Sequence, residues 1–146
     1  MSEQENRDAL ATTSQFGAIG AESDEFALAE LTTSDKAAVE ALPPESALLI
    51  VQRGPNLGAR FLLDSAKTTA GRHPSADIFL DDVTVSRKHA EFVATDGGFV
   101  VRDIGSLNGT YVNRERIESA VLKAGDEVQV GKYRLTYHPS PRRSAQ

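Results

Sequence analysis

Residues 89–104 read HAEFVATDGGFVVRDI. From His89 to Ala94 apolar and polar residues alternate, the period of a strand with one buried face. Asp96-Gly97-Gly98 then supplies a hairpin turn, and Phe99 to Ile104 returns as a second strand. The same rhythm extends outward in both directions. Upstream, Ala47 to Gln52 precedes the turn Gly54-Pro55-Asn56, and Arg60 to Leu63, Thr68 to Gly71 and Ile78 to Leu80 follow it. Downstream lie Thr110 to Val112, Ile117 to Leu122, and the pair Glu127 to Val130 and Tyr133 to Tyr137, joined through Gly131-Lys132. Roughly ten or eleven short strands without a convincing helix imply an all-β sandwich whose loops carry function.

Upstream of Ala47 the composition changes to Ala, Ser, Thr and Glu, with isolated large apolar residues at Phe16, Ile19, Phe26, Leu28 and Leu31. Such a stretch buries too little to order itself. Asp24 to Leu31 and Asp35 to Leu42 have helix-forming composition but fall short of the about 12–15 residues a free helix needs, so they should form only when docked. Pro43 and Pro44 mark the boundary. The expected division is a flexible acidic regulatory tail over 1–45, a domain over 46–138 and a short C-terminal tail over 139–146. Up to Ser46 ten acidic residues face Arg7 and Lys36, a net charge of −8; with −5 overall, the remainder carries +3. A mildly basic domain thus follows an acidic tail that either keeps the protein soluble or serves as its anionic ligand. The chain has no cysteine, so neither disulfides nor a thiolate metal site can hold it together. No apolar run approaches the roughly 20 residues of a membrane span, and the start MSEQENRDAL has no secretory pattern. A cytoplasmic monomer with no membrane or nucleic-acid partner and no cofactor is expected.

Three segments at strand ends hold the informative residues: Gly71-Arg72, Ser86-Arg87-Lys88-His89, and Gly105-Ser106-Leu107-Asn108-Gly109-Thr110. Singly each is ordinary, since an arginine after glycine is usually solvated and Asn-Gly is usually a turn. With Asp77-Ile78 and Gly125-Asp126-Glu127-Val128, in this order on an all-β pattern, they resemble the signature of forkhead-associated (FHA) domains over about Ser46 to Tyr137. The resemblance implies an eleven-stranded sandwich that binds a phosphothreonine in an extended peptide. Arg72 offers a planar fork of donors suited to two phosphate oxygens, Ser86 a hydroxyl and Arg87 a second positive charge. Asn108, with donor and acceptor, suits the backbone of a bound strand. Gly71, His89, Gly109 and Thr110 would brace the loops. Leu107 stands where many members carry a hydroxyl, which bears on peptide preference rather than on phosphate recognition.

Other chemistries fit less well. Ser86 and His89 lack an orienting carboxylate and a nucleophile elbow, so a hydrolase is not expected and the chain reads as no enzyme. His73, His89 and His138 are scattered, and Asp77, Asp81 and Asp82 lack calcium-loop spacing, so no metal site is expected.

The tail segment Ala11-Thr12-Thr13-Ser14-Gln15-Phe16 resembles the Glu-Thr-Thr-Ser-Val-Phe phosphorylation motif of one bacterial subfamily, the glycogen accumulation regulators and oxoglutarate dehydrogenase inhibitors. Residues 58–64, 77–87 and 105–114 are similar to that subfamily too. It implies a switch. On this resemblance the unphosphorylated protein would bind and regulate the oxoglutarate dehydrogenase complex and glutamate-metabolising enzymes. A Ser/Thr protein kinase would then phosphorylate Thr13 or, second in rank, Thr12, and the domain would bind its own phosphorylated tail. Ala11 and Gln15 depart from the motif and bear on kinase choice. The alternative is an FHA adaptor that recruits other phosphothreonine proteins or a kinase through the same pocket.

Overall fold

The computed structural model describes residues 31–142. Eleven strands form two sheets: β1 (Ala47–Arg53), β2 (Arg60–Leu63), β3 (Lys67–Gly71), β4 (Ile78–Phe79), β5 (Ala90–Thr95), β6 (Gly98–Asp103), β7 (Thr110–Val112), β8 (Glu115–Ile117), β9 (Ser119–Val121), β10 (Glu127–Val130) and β11 (Tyr133–Pro139). One sheet has the order β2-β1-β11-β10-β7-β8 and the other β4-β3-β5-β6-β9. Their inner faces enclose one core. Alternate positions supply it: Leu49 and Val51 of β1, Leu135 and Tyr137 of β11, Phe92 of β5, and Phe99 and Val101 of β6. Phe99 and Tyr137 meet edge to face across it, with ring centroids 6.4 Å apart. The expected all-β FHA-type sandwich is the fold observed.

The quoted hairpin pairs Ala90 with Asp103 through Thr95 with Gly98 around a turn at Asp96-Gly97, where Gly97 has φ +91°. The run Ile117 to Leu122, expected as one strand, is instead divided: Ile117 ends β8, a strand not expected, and Ser119 to Val121 form β9. β8 pairs with β7 in the six-stranded sheet and β9 with β6 in the five-stranded one. The chain crosses between the sheets at Glu118, whose carbonyl accepts the Asp103 amide at 2.9 Å. Alternation carries no mark of that corner, because both halves keep a strand's backbone.

The domain also holds one helix, α1 (Thr33–Glu40), which overlaps the segment Asp35 to Leu42, whose composition suggested one only when docked, and begins two residues before it. Thr32 caps it, its hydroxyl accepting the Asp35 amide at 2.9 Å. Arg60 of β2 donates through Nε to the Asp35 carboxylate at 2.9 Å and through Nη2 to the Ser34 hydroxyl at 2.7 Å. Beyond the helix Leu42 is buried, and its carbonyl accepts the Ser140 hydroxyl at 3.1 Å. Arg60 pairs with Ile50 in mid-strand, whereas Ser46 and Ser140 meet at the start of β1, so α1 runs antiparallel to β1. These tertiary contacts stabilise a helix of eight residues that would be marginal alone.

Candidate functional site

Gly71 ends β3 where the chain presses against the loop before β5. A Cβ there would overlap the Arg87 carbonyl oxygen, so only glycine allows this approach. Three backbone bonds close the seam: Arg72 N–H to Ser86 C=O at 2.9 Å, His73 N–H to Arg87 C=O at 3.3 Å, and His89 N–H to Ala70 C=O at 3.1 Å. The Arg72 side chain is exposed, and its Nε donates to the Val85 carbonyl at 2.9 Å. That bond fixes one edge of the guanidinium. Among the described residues no carboxylate pairs with it, so its terminal nitrogens keep their donors for a ligand.

Ser86 sits at the junction of two loops. Its hydroxyl oxygen accepts the Leu107 amide at 2.9 Å, which leaves the hydroxyl proton to donate elsewhere. Its own amide donates to His89 Nδ1 at 3.0 Å, and His89 Nε2 lies 2.9 Å from the Gly109 carbonyl. An acceptor role at Nδ1 and a carbonyl at Nε2 fix a neutral imidazole protonated on Nε2. Burial pushes the His89 pKa down, against the pull of the Gly109 bond and the Asp103 charge. The histidine therefore ties the Ser86 loop to the Gly109 loop. It engages the Ser86 main chain rather than its hydroxyl, so the pair does not form a nucleophile–base relay.

The third loop is organised by Asp103, which the sequence reading passed over. Its carboxylate accepts the Gly105 and Ser106 amides at 2.8 and 3.0 Å, the Ser106 hydroxyl, and the buried Thr110 hydroxyl at 2.8 Å. Burial alone would raise its pKa, yet these bonds outweigh it and hold the group down at about 2. Ser106 Oγ also accepts the Gly109 amide at 2.9 Å, and Gly109 takes φ +89°. The signal was present as an Asx-turn pattern, an aspartate followed two and three positions on by glycine and serine. Asn108 is exposed at the loop tip, and its Nδ2 donates to the Thr84 carbonyl at 3.0 Å. Thr84, also unforeseen, is held in turn: its hydroxyl lies 2.5 Å from Asp82 and accepts the Lys132 amide at 2.9 Å.

Arg72, Ser86 and Asn108 are thus brought together by bonds among three loops, and Gly71, His89, Gly109 and Thr110 stand at the joints. Arg87 is exposed next to Ser86 and faces a groove shared with His73 and Lys88. Thr12 and Thr13 lie outside the described residues. Among the described residues no group of His, Asp or Glu is placed to hold a metal ion, and no helix is long and apolar enough to cross a membrane.

The FHA domain family model matches residues 68–131. Glycogen accumulation regulator GarA of Mycobacterium tuberculosis is 65% identical over 111 residues, covering 76% of this chain and 68% of that protein. The oxoglutarate dehydrogenase inhibitor of Corynebacterium efficiens is 67% identical over 100 residues, 68% of this chain and 70% of that one. A solved structure of Mycobacterium tuberculosis EmbR in complex with a low affinity phosphopeptide superposes with a TM-score of 0.62 at 28% identity, covering 88% of this chain and 31% of EmbR. The three-loop geometry, the sandwich and these identities agree: the chain belongs to the forkhead-associated domain family, among the glycogen accumulation regulators and oxoglutarate dehydrogenase inhibitors.

Proposed function

We propose that this protein reads phosphothreonine through Arg72, Ser86, Arg87 and Asn108 and uses that pocket as the off-switch of a metabolic regulator. One observation carries the pocket assignment: an arginine fixed by its Nε, a serine hydroxyl with its proton uncommitted and an exposed asparagine converge from three mutually bonded loops. Oxyanions are bound best by such a set, a planar guanidinium beside neutral donors already held in place. The site binds its ligand and does not transform it.

In its unphosphorylated form the protein binds and regulates the oxoglutarate dehydrogenase complex and glutamate-metabolising enzymes, in the cytoplasm. The identity to a protein named for inhibiting oxoglutarate dehydrogenase supports this reading. Phosphorylation of Thr13, or secondarily Thr12, by a Ser/Thr kinase turns that part of the tail over 1–45 into an intramolecular ligand for the domain over 46–138, on which α1 is already docked. Target binding is then released.

The test is inhibition of purified oxoglutarate dehydrogenase complex before and after kinase treatment. The untreated protein should inhibit, the treated protein should not, and a Thr12→Ala/Thr13→Ala variant should inhibit in both states. Inhibition indifferent to phosphorylation would sink the switch.

A further inference from the structure

Beside the phosphate loops, β3, β5 and the loops next to them border a groove of about 570 Å³ whose charged lining is Lys67, Arg87, Lys88 and Glu91. Glu91 is already compensated, with Lys67 Nζ at 3.9 Å and Arg102 Nη1 at 3.3 Å. Arg87 and Lys88 are exposed and meet no carboxylate among the described residues. Arg87 is assigned above to the phosphate, and Arg102 shares Glu91 with Lys67, so the positive charge that the groove keeps beyond the phosphate pocket is that of Lys88 and Lys67. Its position also sets a ruler. Lys67 lies at the far end of β3 from Gly71, four positions away, or about 13 Å at roughly 3.3 Å per extended residue.

We propose that this groove is a second subsite, which holds an acidic side chain about four residues to the N-terminal side of the phosphothreonine. The proposal rests on the phosphothreonine reading above and adds a rule for which phosphopeptides are preferred. The protein's own tail fits the ruler, since Asp8 stands four positions before Thr12 and five before Thr13. On the other side the nearest acidic residue is Glu22, nine positions past Thr13.

The test uses a synthetic peptide of residues 4–17 phosphorylated on Thr13, with Asp8 or with Asp8→Asn, titrated against the full-length unphosphorylated protein. The wild type should prefer the Asp8 peptide by about two- to fivefold, the size expected of exposed ion pairs. The preference should shrink in about 0.5 M salt, where the screening length falls well below 10 Å. In a Lys67→Gln/Lys88→Gln variant it should vanish, while affinity for the Asp8→Asn peptide stays at the wild-type value. A wild type indifferent to Asp8, or a double variant that discriminates as well as the wild type, would overturn the subsite. The phosphate pocket fails separately, by a wild type that binds phosphorylated and plain peptide alike.

Discussion

Arg72 has one guanidinium edge committed to Val85 and the rest available, so its removal should cost recognition far more than stability. Charge-assisted bonds are worth roughly 1.5–3 kcal/mol each, and Arg72→Ala should lower phosphothreonine-peptide affinity at least about tenfold with little change in thermal melting. A titration with unchanged affinity would contradict the pocket. His89 makes a second residue-level prediction, because its folded pKa lies below the ordinary 6.5. The unfolded chain then takes up the proton first, so stability is complete above pH 6.5 and is lost as pH falls through the lower folded value. Denaturant midpoints should stay level from pH 8 to about 6.5 and fall below it. His138, also buried with its pKa pushed down, shares that window, and His138→Gln should make the fall shallower without removing it. A midpoint that rises on acidification would refute the neutral assignment. Asp103 acts in a lower window, contributing above about 3.8 and losing its contribution as pH drops to about 2.

At the scale of elements, legibility followed periodicity. The β5–β6 hairpin and the β10–β11 turn at Gly131-Lys132 could be read because alternation and turn residues are local signals. The division of Ile117 to Leu122 between sheets could not, since pairing partners are set by the whole sandwich. α1 was legible in composition and illegible in stability, which comes from Arg60 and Ser140, residues far along the chain. Arg72, Ser86 and Asn108 stood out as a constellation, while Asp103 and Thr84 did not, because they work by holding other loops. Gly71 shows how an element reaches the site. Gly71→Ala would push β3 away from the Arg87 carbonyl, and such overpacking costs about 1–3 kcal/mol. The variant should melt earlier and also bind phosphopeptide more weakly, with Leu107 and Asn108 amide resonances shifted. Full affinity in Gly71→Ala would show that the seam does not position Arg72 and Ser86.

At the scale of the whole molecule, closure on a phosphorylated tail, as proposed above, would depend on where the tail is anchored. Chain statistics give a root-mean-square span of about 32 Å for the roughly 33 positions from Thr13 to Ser46. The clasp of Asp35 and Ser34 on Arg60 moves the anchor to Thr32, and a free chain of the about 19 positions then left would span about 24 Å. Effective concentration falls roughly as the −3/2 power of length, so the shorter leash favours closure about twofold. Arg60→Ala should therefore let a free phosphopeptide displace the tail of the Thr13-phosphorylated protein at about half the concentration, with the same affinity for that peptide in the unphosphorylated state. Equal displacement in both proteins would detach the clasp from the switch. Because α1 doubles back along β1, it acts as a fairlead: Thr32 is held partway along that strand, beside Arg60 and Ile50, rather than at the start of β1.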